Sequence, residues 1–107
     1  MTLGGHFTGS SVVHWPAGAD GRGVLLAGDT LFANPDRKSV AFMRSYPNHI
    51  PLSAGVVERT CRHVDPLEFD WLYGKFQNVI DVDVSEVVRR SADRHTRWVC
   101  GDYDHLT

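Results

Sequence analysis

Short apolar runs fill the first half of the chain and helical periodicity takes over in the second, an order that predicts an α/β fold. Residues 11–15 read as a strand stopped by Pro16, and the glycine-rich stretch 17–23 turns into a second strand at 24–28, predicting a hairpin. Val24-Leu25-Leu26-Ala27-Gly28 shows no polar alternation, so burial on both faces is expected, and Asp29 leaves its C-terminal end. Residues 31–38 read as a loop around Asn34-Pro35-Asp36. A short strand at 40–43 follows, then a loop containing Tyr46-Pro47-Asn48 that Pro47 and Pro51 keep from coiling into a helix.

Residues 52–64 carry apolar side chains at 54, 57, 61 and 64, the spacing of one helical face, and Asp65-Pro66 ends the pattern. A strand is expected at 69–73, broken by Gly74, and Val79-Ile80 lead into Asp83-Val84-Ser85-Glu86. There an acid at the N-cap with Glu three residues on predicts the start of a last helix. Val84, Val87, Val88, Ser91, His95 and Trp98 form one stripe along it, with most of the charged residues outside. Trp15, Trp71 and Trp98 are expected in the core or covering the sheet.

Composition narrows the function without naming it. At 107 residues the chain holds one domain, with ordinary globular content at 42% apolar and 22% charged residues. Its net charge of -2 and its scattered Lys and Arg provide no footprint for a phosphate backbone, so nucleic acid is excluded as an expected partner. No apolar run is long enough to span a bilayer, and Met1-Thr2-Leu3-Gly4-Gly5 lacks the regions of a signal peptide, which predicts a cytoplasmic protein without a membrane partner. Cys61 and Cys100, without CxxC spacing, are expected to be two free thiols.

Two stretches carry candidate chemistry. Gly4-Gly5-His6-Phe7-Thr8-Gly9-Ser10 sets an imidazole among glycines that allow close approach, and Leu26-Ala27-Gly28-Asp29-Thr30-Leu31-Phe32 sets a carboxylate at a strand end, where α/β folds often hold ligands. Each alone has a plainer reading, His6 as a surface residue and Asp29 as the cap of a turn. His49 lies in a polar and aromatic loop that either lines a substrate cleft or is simply solvated. His14 is expected to face solvent or bond across the hairpin, and His63 and His95 to serve helices.

Taken in this order, with a hairpin between them, the two stretches resemble the metallo-β-lactamase superfamily, in particular its hydroxyacylglutathione hydrolase-like branch. The resemblance implies half of an αβ/βα sandwich, a mixed sheet with two main helices, as a single partial domain over residues 1–107 whose N-terminal half is absent. It implies that His6 and Asp29 are metal ligands, Asp29 bridging two ions, with zinc, iron or manganese as the cofactor. The implied activity is hydrolysis of an ester, thioester or amide of a small molecule by a metal-bound hydroxide. The family's His-x-His-x-Asp-His motif does not occur, and Lys75 stands where the last His ligand is expected. An incomplete site is therefore expected, and the chain alone is expected to be inactive. The alternatives are a non-enzymatic remnant acting as a binding or dimerisation module, as a homo-oligomer or against a complementing protein half, and a chain whose Met1 is internal to a longer reading frame.

Overall fold

The structure, a computed structural model, describes residues 1–45, 50–74 and 78–107. Its elements in chain order are β1 (Val13–Trp15), a single distorted turn α1 (Gly18–Gly21), β2 (Val24–Gly28), β3 (Phe32–Ala33), β4 (Val40–Ala41), β5 (Met43–Ser45) and β6 (Ile50–Pro51). These are followed by α2 (Ala54–Val64), β7 (Trp71–Gly74), β8 (Val79–Ile80), α3 (Val84–Val99) and a closing 3-10 turn, Asp104–Leu106. The fold is α/β. A mixed sheet runs in the order β1-β2-β7-β8, antiparallel at both edges and parallel between β2 and β7.

The expected hairpin is present, with Val13 opposite Leu26 and Trp15 opposite Val24. Gly23 locks it to the centre of the sheet. Its φ of +91° favours glycine, and a Cβ there would fall 2.1 Å from the Glu68 carbonyl oxygen. That close approach lets the Gly23 carbonyl accept from the amides of Asp70 (3.0 Å) and Trp71 (3.3 Å), starting β7 beside β2.

Helices cover one face of the sheet. Leu25, Leu72 and Ile80, all 0% exposed, share a core with Val57 and Val64 of α2 and with Val84, Val87, Val88 and Ala92 of α3. The start of α2 is fixed by Ser53, whose hydroxyl accepts from the Val56 amide, and the helix stops before Pro66. Ser91 sits in the apolar stripe of α3 for a reason: its hydroxyl accepts from the buried Val40 amide at 2.9 Å and ties β4 to the helix.

Several expectations fail on local geometry. Leu26 is 41% exposed, so β2 is not buried on both faces. Pleating sends alternate residues to the face opposite α2 and α3, where the α1 turn lies against Val24 but Val13, Trp15, Leu26 and Tyr73 stand open among the described residues. Trp15 stands exposed on that sheet face, where half-buried Trp71 stacks on Tyr73 at 5.8 Å, whereas Trp98, near the end of α3, is exposed and belongs neither to the core nor to the sheet. Asp83 occupies the N-cap of α3 in a left-handed conformation, φ +51°, and its side chain makes no cap hydrogen bond. The strand expected at 40–43 divides around buried Phe42, and its second part pairs antiparallel with β6, a pairing that periodicity does not reveal. Both cysteines are free, Cys61 half-buried in α2 and Cys100 exposed at the end of α3. Among the described residues no helix is long and apolar enough to cross a membrane.

Candidate functional site

The loop before β1 is closed on itself. The amides of Leu3 and Gly4 both donate to the Ser10 carbonyl, and the Ser10 amide donates to the Phe7 carbonyl. Gly4 and Gly5 take φ values of +69° and +91°, which let the loop bend around His6 at little cost. A Cβ on Gly5 would also lie 3.3 Å from Leu52 Cδ1, so the loop rests directly on the start of α2.

The imidazole of His6 is held from one side by the backbone of β5. Its Nδ1 lies 2.8 Å from the Met43 carbonyl oxygen, which can only accept, so Nδ1 carries the proton and Nε2 of the neutral ring presents a lone pair. Phe7 and Phe32 meet the ring edge to face, with centroids 6.1 and 5.8 Å away. Nε2 faces Asp29, 3.5 Å from Oδ2, in a spot where the two side chains are 17% and 22% exposed.

Asp29 is delivered by the chain as it leaves β2. Gly28, opposite Gly74 in the parallel register, turns with φ +54°, and the Thr30 amide returns to the Ala27 carbonyl at 3.0 Å. Thr30 then joins this turn to the His6 loop. Its buried hydroxyl lies 2.7 Å from that of Ser10 and 3.3 Å from the Ser11 carbonyl, so Thr30 donates to the carbonyl and Ser10 donates to Thr30.

Sequence reasoning singled out His6 and Asp29, and the fold brings them together. The spacing suits two ligands of one ion: nitrogen and oxygen donors about 2.1 Å from a tetrahedral centre are about 3.4 Å apart. Among the described residues no third His, Cys, Asp or Glu completes a group of three. His14, His63 and His95 are each engaged elsewhere, on the carbonyls of Glu68, Arg59 and Leu52. The bond of His14 therefore reaches the segment before β7 rather than crossing the hairpin. His49 and Lys75 lie outside the described residues.

Cys61 takes no part in this chemistry. Burial is the main cause that pushes its thiol above the usual range, aided by the neighbouring Asp65 charge and opposed by Arg89. The features that sequence reasoning missed are the Met43 carbonyl, the Ser10–Thr30 pair and a groove of about 750 Å³ on the solvent side of the His6 loop. A backbone acceptor has no residue signature, whereas Ser10 and Thr30 both lie inside the two stretches that drew attention to His6 and Asp29.

No protein-family model matches the chain. No solved structure matches it either. It is similar to the uncharacterized protein YmaE of Bacillus subtilis (strain 168), 45% identical over 103 residues that make up 96% of this chain and 38% of that protein. The chain thus spans well under half the length of this relative.

Proposed function

We propose that this chain is part of a metal-dependent hydrolase of metallo-β-lactamase type, with His6 and Asp29 as two of the ligands. The observation that carries the reading is the facing of His6 Nε2 and Asp29 Oδ2 at 3.5 Å, with the Met43 carbonyl fixing the neutral imidazole in the tautomer whose Nε2 bears the lone pair. A divalent ion such as zinc, iron or manganese, when bound, would polarise an ester, thioester or amide carbonyl and lower the pKa of water. The chain's own contributions are more limited. Asp29 supplies a carboxyl oxygen at a strand end, the His6 loop supplies one imidazole nitrogen, and Phe7 and Phe32 flank the ring. Further ligands have to come from outside the described residues, since two fall short of the three usual in a catalytic zinc centre.

Zinc titration by calorimetry tests this reading, on the wild type and on the His6→Ala and Asp29→Asn variants. A zinc-dependent heat that both variants remove supports it. Heat that survives both substitutions, or none at millimolar zinc, removes it.

A second reading is favoured by a separate observation, the open apolar sheet face of Val13, Trp15, Leu26 and Tyr73. Such a face suits a binding or dimerisation module, or a protein half to be completed by another apolar layer. The mass in solution separates these two, a dimer favouring self-association and a monomer favouring a complementing half.

A further inference from the structure

The groove beside His6 carries a charge pattern opposite to that of the chain. In a protein of net charge -2, the only charged side chains lining it among the described residues are Arg44, from β5, and Arg59, from α2. Neither guanidinium has a carboxylate partner among the described residues, in contrast to Arg89 and Arg97 on α3. Arg59 is oriented all the same. Its Nη2 donates to the Leu3 carbonyl at 3.2 Å, which fixes the head at the base of the glycine loop and leaves the remaining donors of the fork without an acceptor among the described residues.

The loop supplies a second, independent set of donors. The amides of Leu3, Gly4 and Ser10 are used within the loop, whereas those of Gly5 and His6 have no intramolecular acceptor among the described residues. Phe7 and Ile50, 60% and 44% exposed, and Val56 give the same groove apolar walls. Two guanidinium groups without a carboxylate and two amides without an acceptor among the described residues, beside an apolar wall, call for a ligand with an anionic end and an apolar body.

We propose that this groove binds the carboxylate or phosphate group of a small-molecule substrate, held between Arg44 and Arg59 over the Gly4-Gly5 loop. In this way the groove would present the substrate's scissile carbonyl to the side of the site that holds His6. The assignment of the anion to a substrate rests on the hydrolase reading above; the anion site itself does not.

The test is therefore run without metal. Amide and arginine side-chain resonances of the 107-residue chain are followed by NMR in the presence of a chelator, with inorganic phosphate in one arm and succinate in the other. Saturable shifts of the Gly5, His6 and Arg59 signals are expected at millimolar ligand in at least one arm, and the arm that saturates more tightly identifies the anion. The midpoint should rise at least fivefold in Arg44→Gln and in Arg59→Gln, and rise with sodium chloride. Because Arg59→Gln also removes the bond to Leu3, Arg59→Lys serves as a control for folding that keeps the charge, and Arg44→Gln reports on the groove without touching that bond. Shifts that do not saturate in either arm, or midpoints unchanged in Arg44→Gln, overturn the site. Failure of zinc binding, with anion binding intact, overturns the hydrolase reading and leaves the groove as an anion site.

Discussion

Ser10 donates to Thr30 across 2.7 Å inside the protein, and this pair is a direct side-chain tie between the loop that carries His6 and the turn that carries Asp29. Ser10→Ala leaves the hydroxyl of Thr30, a residue 2% exposed, with one partner fewer. A loss of about 1–2 kcal/mol in urea unfolding is expected. Ser10→Ala combined with Thr30→Val removes both polar groups and should recover part of that loss. A double variant less stable than the sum of the two single ones would contradict the role given to the pair.

The His6 ring makes a prediction that needs no ligand. With Nδ1 donating to Met43, the neutral side chain should be the Nδ1-protonated tautomer, the less common form in free histidine. Long-range nitrogen-proton NMR spectra distinguish the two ring nitrogens directly. A protonated Nε2 in the neutral ring would remove the lone pair from the face that looks at Asp29.

Thr60 presents the opposite problem from Ser10. Its hydroxyl is buried in α2 with no hydrogen-bond partner among the described residues, and the residue is 1% exposed. Thr60→Val keeps the shape and removes the unsatisfied group, so stability should rise by about 1 kcal/mol. Unfolding by urea checks this, and a loss of stability would mean that the hydroxyl has a partner.

The sequence revealed the order of the elements better than their surroundings. The helical spacing in α2 and α3 and the run from Val24 to Gly28 were readable because each repeats one packing relationship several times. The β5–β6 pair involves too few residues to form a period, and the left-handed Asp83 looks in sequence like an ordinary cap. Leu26 shows the deeper limit. Its apolar character states that the face avoids charge, not that anything in this chain covers it. The nearness of His6 and Asp29 followed in sequence only from a resemblance, because no local pattern relates a loop residue to the end of a strand.

That open face gives a fourth prediction. Leu26→Asp puts a charge at its centre while leaving the helix-covered core untouched, so the protein should stay folded with a loss of about 1–2 kcal/mol. Concentration-dependent association and binding of a hydrophobic dye should both decrease, as read by sedimentation and fluorescence. Collapse of the fold in this variant would show that the face is covered within the chain itself.

The two cysteines should differ in reactivity. Exposed Cys100 is expected to react quickly with a disulfide reagent, and Cys61, whose thiol burial holds protonated, much more slowly. The raised value also has a sign for stability. The folded state resists ionising Cys61 while the unfolded state ionises near the usual 9.0, so its contribution is complete below that pH and declines as pH rises above it. Cys61→Ala should flatten this alkaline decline, measured as the change in thermal midpoint between pH 8 and pH 10.

The parallel pairing of β2 with β7 also shapes how the protein reaches its fold. Leu25 and Leu72 are register partners 47 positions apart, and all of α2 lies between them. The β1–β2 hairpin is a local contact that can form early, whereas the central pair must wait for a long loop to close and its helix to dock. Asp29 stands at the end of that pair. Its final position is thus reached in the slower part of folding, and a chain caught partway would hold a formed hairpin while the groove and the carboxylate still lacked their common frame.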